Sequence, residues 1–170
     1  SLVQLAALLH DVGHGPFSHV SEASLVRFAD KSKLASGQRA EKIHELVTAK
    51  IIETDPEIGK LLLPNERLAV VRLLSDGSSN RPLLKQIISG PLDADKQDYL
   101  LRDSKFCGVE YGIFDPQQLQ RSLVAVGDPG GEELMIDPDG VHAVEQFVLA
   151  KYYMTTNVYR HRVRVITDQM

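Results

Sequence analysis

Apolar and polar positions along this chain repeat mostly with a helical period. Leu2, Val3, Leu5, Ala6, Leu8 and Leu9 make an apolar helical segment, which the pattern ends at Gly13-His14-Gly15-Pro16 because Gly and Pro interrupt helices. Val20 to Ala29 reads as a short helix, and the polar stretch Asp30 to Arg39 as a loop. Glu41 to Thr54 carries Ile43, Leu46, Val47, Ile51 and Ile52 at helical spacing. Asp55-Pro56 opens another short helix, with Asp as cap and Pro at the first helical position. Asn65 to Ser75 follows, with Leu68, Val71 and Leu74 or their neighbours predicted on one face, then a loop at Asp76 to Asn80. Arg81 to Ser89 is a helix that ends at Gly90-Pro91. Asp93 caps a helix running to Phe106, which Cys107-Gly108 ends, and Asp115-Pro116 caps one running to about Leu123.

The pattern then changes. Leu123 to Val126 and Glu133 to Ile136 read as two strands of a small hairpin, and Asp137-Pro138-Asp139-Gly140 as a turn. Val141 to Met170 reads as one long helix. The fold class expected is therefore mostly α with one β-hairpin.

Composition narrows the function classes. A chain of 170 residues with 43% hydrophobic and 25% charged residues is expected to form one ordinary globular domain. The net charge of −4 argues against general nucleic-acid affinity, although a local basic cluster could hold a phosphate. The single Cys107 excludes an internal disulfide and a cysteine-based zinc site, which fits a reducing, cytoplasmic location. No apolar run approaches the roughly 20 residues that cross a bilayer, so no membrane partner is expected. The chain opens at Ser1 directly into a helical pattern and closes at Met170 still inside one, so a fragment of a longer protein is expected.

The chemistry concentrates in His10-Asp11-Val12-Gly13-His14-Gly15-Pro16-Phe17-Ser18-His19. An adjacent His-Asp pair at the end of a buried apolar helix is costly unless something occupies it, and a divalent metal binds neutral imidazole and carboxylate together. Neighbouring helical residues point about 100° apart, so both can reach one ion only near a helix end or kink, which Gly13 and Gly15 supply. A His-Asp dipeptide by itself is usually incidental surface; the apolar lead and the Gly-His-Gly-Pro sequel make this one different. Downstream, Asp95, Tyr99 and Arg102 or Asp103 share one helix face, which suits a site wall and equally suits a solvated surface. His44-Glu45 and Tyr159-Arg160-His161-Arg162 complete the set, and five of the six histidines lie in these segments.

Taken together, Leu8 to His19 resembles the metal-binding core of HD-domain phosphohydrolases, and more narrowly their deoxynucleoside triphosphate triphosphohydrolase branch. Asp93 to Asp103 is similar to that branch's second signature, and Tyr159-Arg160-His161-Arg162 to its Tyr-x-His-Lys/Arg segment, in the family's order. The resemblance implies an HD-domain helical bundle over residues 1–170. It implies His10, Asp11 and Asp95 as metal ligands and His14 near the α-phosphate. His19 and His44 would form the catalytic group, with Glu45 orienting His44. Lys96 would contact phosphate, Tyr99 and Asp103 the sugar edge, and Lys151 the outer phosphates. Tyr159, His161 and Arg162 would line the sugar or base.

The activity implied is hydrolysis of a deoxynucleoside triphosphate to deoxynucleoside and triphosphate. The alternatives are another nucleotide substrate, either a monophosphate or a dinucleotide, and a non-catalytic nucleotide-sensing module. The cofactor implied is a divalent ion, Mn, Fe, Ni, Co, Zn or Mg. The family's enzymes often assemble, so a homo-oligomer is expected. The family's first metal ligand is a His on a helix upstream of the His-Asp pair, and this chain begins after that position.

Overall fold

The computed structural model describes residues 1–28, 30, 43–75 and 81–168; the side chains of His19 and Ala23 are also outside the described set. The expected loops at Asp30 to Arg39 and Asp76 to Asn80 therefore lie almost wholly outside the described residues. Those residues form ten α-helices and one two-stranded antiparallel sheet, in two compact units, Ser1–Ser79 and Asn80–Met170.

The first unit contains α1 (Leu2–Leu9), α2 (His19–Phe28), α3 (Ile43–Thr54), α4 (Pro56–Leu61) and α5 (Pro64–Leu74). Helix α5 packs on both α1 and α3, and its buried side chains are Val70, Val71 and Leu73. This corrects the face expected from periodicity: Leu68 is exposed, because a helix touched by two neighbours buries an arc displaced from a single stripe. Ala6 and Ile52 complete this core at 0% exposure. Helix α1 is not the buried helix its sequence suggests, since only Ala6 is buried and Leu8 is 76% exposed. Asp55 caps α4 as predicted, accepting from the backbone N–H groups of Glu57 at 2.9 Å and Ile58 at 3.0 Å.

The second unit contains α6 (Pro82–Ser89), α7 (Ala94–Cys107), α8 (Pro116–Arg121), β1 (Leu123–Val126), β2 (Glu133–Ile136), α9 (Val141–Met154) and α10 (Arg162–Thr167). The strands pair in register from Leu123↔Ile136 to Val126↔Glu133. The Gln86 side chain ties α6 to this hairpin by accepting from the Leu134 N–H at 2.6 Å. Asp137 to Gly140 forms a single tight helical turn that leads into α9. The core is Leu100, Phe114, Leu119, Ala143, Phe147, Ala150 and Met154, with the Phe114 and Phe147 rings edge to face at 5.1 Å.

Helix α7 shows why this segment folds as it does. The Asp93 carboxylate accepts from the Lys96 N–H at 2.8 Å, and Gly108 closes the helix at φ 66°, a conformation glycine adopts without strain. The long helix expected from Val141 to Met170 is divided. Helix α9 stops at Met154, a π-helical turn follows over Thr155–Tyr159, and His161 is extended at φ −60°, ψ 135° before α10. Apolar spacing alone does not register this break, because Val158, Val163 and Ile166 keep the helical rhythm across it.

Candidate functional site

The turn that follows α1 carries His10 and Asp11, and one buried hydroxyl holds it in place. Thr48 on α3 is 2% exposed; its Oγ1 donates to the His10 carbonyl at 3.1 Å and accepts from the Gly13 N–H at 2.9 Å. Both ends of the turn are thus tied to one side chain. Gly13 is required by contact rather than by φ: a Cβ there would overlap the Thr48 nitrogen and the His44 carbonyl, and would lie 2.6 Å from Thr48 Oγ1. Helix α3 therefore presses directly against the His-Asp turn, with His44 one helical turn before Thr48.

Within this turn His10 Nδ1 lies 2.8 Å from the Ala7 carbonyl. A carbonyl only accepts, so Nδ1 carries a proton toward it and Nε2 is the ring nitrogen turned to Asp11. That Nε2 is 3.3 Å from Asp11 Oδ1. An imidazole nitrogen and a carboxylate oxygen this close are a donor pair that a divalent cation takes together. Asp11 Oδ1 is also 3.5 Å from His14 Nε2. The His10 and Asp11 side chains are 26% and 53% exposed, so an ion from solvent can reach them. Their donor types and spacing fit a divalent ion.

Behind this pair lies a second cluster. The His14 and His44 rings stack at 4.2 Å with 10° between planes. Glu22, in the first turn of α2, sets its Oε1 3.8 Å from His14 Nδ1 and directly against His44 Nδ1. These three facing atoms are shut off from solvent and lie within 4.8 Å of one another, so the group could hold a metal. An ion must lie in the plane of each imidazole that binds it, so one of these near-parallel rings would have to turn for both to bind one ion.

Sequence reasoning did not single out Glu22. The signal was present as an acid in the first turn of a helix immediately after the His-rich turn, but such residues are usually solvated. Glu45, expected to orient His44, is half-buried on α3 beside it. His19 begins α2, and its side chain lies outside the described residues.

In the second unit α7 sets out the predicted face. Asp95, Tyr99 and Asp103 recur every four residues, and the Tyr159 hydroxyl donates to Asp103 Oδ2 at 2.9 Å. The Tyr99 and Tyr159 rings meet edge to face at 6.0 Å. Burial, then the charges of Asp95, Asp93 and Asp103, raise the Tyr99 phenol above its ordinary value. Burial, the hydrogen bond to Asp103 and the Asp103 charge raise Tyr159 further. The Lys96 ammonium is held by the buried Asp93 carboxylate and, at 3.2 Å, by the Gly90 carbonyl. Lys151 is half-buried on α9. His161 caps α10, its Nδ1 accepting from the Val163 N–H at 3.3 Å, and Arg162 is exposed beside it.

Two outcomes test this geometry. Thr48→Val removes the acceptor of a buried N–H and should cost about 1–3 kcal/mol in urea unfolding, whereas Thr48→Ser should restore most of it. Tyr159 has a folded-state pKa raised above its unfolded one. Its contribution to stability is therefore complete below the ordinary phenol value of 10.0 and is lost as pH rises through the raised value. Tyr159→Phe should cost about 1 kcal/mol at about pH 8 and much less at strongly alkaline pH, as read by unfolding at the two conditions; an equal loss at both would contradict the assignment.

Known proteins resemble this arrangement. Residues 1–102 match the HD domain and residues 114–170 the HD associated region. Protein YwfO of Bacillus subtilis, itself uncharacterised, is 36% identical over 161 residues, 93% of this chain and 33% of its own. Deoxynucleoside triphosphate triphosphohydrolase SAMHD1 of Danio rerio is 26% identical over 189 residues, 99% of this chain and 30% of its own. The crystal structure of a phosphohydrolase from Bacteroides thetaiotaomicron superposes with a TM-score of 0.74 at 32% identity, over 99% of this chain and 37% of that one. This chain spans about a third of the length of each of these relatives. With the HD match running through α1, the His-Asp turn, α3 and most of α7, the chain belongs to the HD-domain family.

Proposed function

We propose that this protein is a metal-dependent phosphohydrolase that cleaves deoxynucleoside triphosphates to deoxynucleoside and triphosphate. The observation that carries the reading is His10 Nε2 lying 3.3 Å from Asp11 Oδ1, a pair suited to a divalent ion. Membership of the HD-domain family and the likeness to a phosphohydrolase of known structure support hydrolysis of a phosphate ester. The finer choice of substrate draws on the more distant likeness to the Danio rerio triphosphohydrolase.

In this reading His10, Asp11 and Asp95 are the protein's metal ligands, and the ion is Mn, Fe, Ni, Co, Zn or Mg. When bound, the ion supplies Lewis acidity toward the phosphoryl oxygens. Water adds at the α-phosphorus, the bond from phosphorus to the 5′-oxygen breaks, and a proton reaches that oxygen. His14 meets the developing phosphate charge. His44, which Glu22 faces, and His19 manage the two protons, since an imidazole nitrogen can give or take one. Tyr99, Asp103 and Tyr159 form a wall for the sugar, whose hydroxyls need both a donor and an acceptor. Lys151, His161 and Arg162 serve the outer phosphates and base side. A phosphate contact from Lys96 requires its ammonium to leave Asp93. The same reading makes a nucleotide the partner and a homo-oligomer in the cytoplasm the working form. Among the described residues no helix is long and apolar enough to cross a membrane.

The test is product analysis of the full-length protein loaded with manganese and offered each dNTP. Intact triphosphate and deoxynucleoside are expected. His10→Ala and Asp95→Ala should each lower turnover by at least about a thousandfold, the effect of losing several kcal/mol of transition-state stabilisation. Release of orthophosphate or a nucleoside monophosphate in place of triphosphate would exclude cleavage at the 5′-oxygen while leaving a phosphohydrolase. Retained turnover in either variant would remove that residue from the ligand set.

A further inference from the structure

The break after α9 has a local cause that bears on Tyr159. In an uninterrupted α-helix the Thr155 carbonyl would accept from residue 159. Here it accepts from the Arg160 N–H, five residues on, at 2.9 Å. A turn widened by one residue rotates everything after it by about 100° relative to a continuous α-helix. Tyr159 sits at the end of this turn, and its hydroxyl reaches Asp103 across a sequence separation of 56 residues.

Three consecutive side chains favour the widening. Thr155 Oγ1 donates to the Lys151 carbonyl at 2.7 Å, Thr156 Oγ1 to the Tyr152 carbonyl at 3.0 Å, and Asn157 Nδ2 to the Tyr153 carbonyl at 2.9 Å. Each reaches back one turn to a carbonyl of α9, and such back-bonding competes with the backbone N–H for that carbonyl and loosens or bends the helix. Thr and Asn are weak helix formers for this same reason, so a run of three loosens the α-helix. On the far side the Arg164 guanidinium donates to the Tyr159 carbonyl and pairs with Asp168 at 3.1 Å, which holds the end of the turn.

We infer that Thr155, Thr156 and Asn157 are positioning residues that build the π-helical turn and thereby aim the Tyr159 hydroxyl at Asp103 and its ring at Tyr99. Their role in substrate binding rests on the proposed sugar wall; their role in placing Tyr159 does not. The triplet itself touches neither Asp103 nor Tyr99 through any contact given above. It acts by setting which face of the chain Tyr159 occupies.

The experiment combines Thr155→Val, Thr156→Val and Asn157→Leu in the full-length protein and compares them with Thr155→Ser and Thr156→Ser, which keep the hydroxyls. The coupling between Tyr159 and Asp103 is read by a double-mutant cycle with Tyr159→Phe and Asp103→Asn in each background. Loss of the coupling in the first set and its retention in the serine set is the expected result. Coupling retained in the first set overturns the inference. So does coupling lost equally in both, because methyl packing would then be the cause. If the triple variant does not fold, Thr156→Val against Thr156→Ser carries the same comparison. In parallel, the KM for the preferred dNTP should rise about tenfold at unchanged kcat in the first set, the signature of a lost binding contact. A lost coupling with an unchanged KM supports the positioning role and removes Tyr159 from the sugar wall, so the two claims fail separately.

Discussion

An imidazole nitrogen and a carboxylate oxygen, His10 Nε2 and Asp11 Oδ1, held 3.3 Å apart at the end of α1 set the central constraint on this protein. Such a pair is one that a divalent cation takes together, and the fold holds its two members side by side. The surrounding residues make that constraint possible. The Ala7 carbonyl fixes the ring tautomer of His10, the Thr48 hydroxyl closes the turn, and Gly13 lets α3 come within backbone contact. Because α3 also carries His44, the turn that presents the carboxylate and the helix that presents the second imidazole are joined by one buried side chain.

The same economy recurs in the second unit. Asp93 caps α7 and holds the Lys96 ammonium while itself 2% exposed, so the start of the helix is rigid where Asp95 projects from it. A buried carboxylate of this kind needs its full set of partners, because an unpaired charge there would be very costly. Two turns further on, Tyr99 and Asp103 meet Tyr159 from a helix late in the chain. Burial, and after it the acidic groups along α7, raise both phenols above their ordinary value, so this wall offers hydroxyl donors beside carboxylate acceptors.

Local chemistry made much of this legible. Asp55, Asp93 and Asp115 each read as caps from their neighbours, and each accepts a backbone N–H one turn on. The two short strands read from Leu123 to Val126 and Glu133 to Ile136 pair over those same residues. The spacing of Asp95, Tyr99 and Asp103 defined a helix face before its partner was known. What the sequence did not disclose depends on partners far along the chain. Thr48 is one threonine among apolar residues, and only its two backbone contacts reveal its part. Glu22 has the profile of a solvated first-turn acid until His44 is seen against it. The division of the last long helix escaped because apolar spacing reports burial, whereas at the break three polar side chains fold back on carbonyls one turn earlier.

Anomalous diffraction from crystals of the full-length protein grown with manganese shows whether the His10-Asp11 turn holds a divalent ion. A peak is expected at about 2.0–2.2 Å from both His10 Nε2 and Asp11 Oδ1, an ordinary range for such ligands. A peak only among His14, Glu22 and His44, or none near the turn, would contradict that placement.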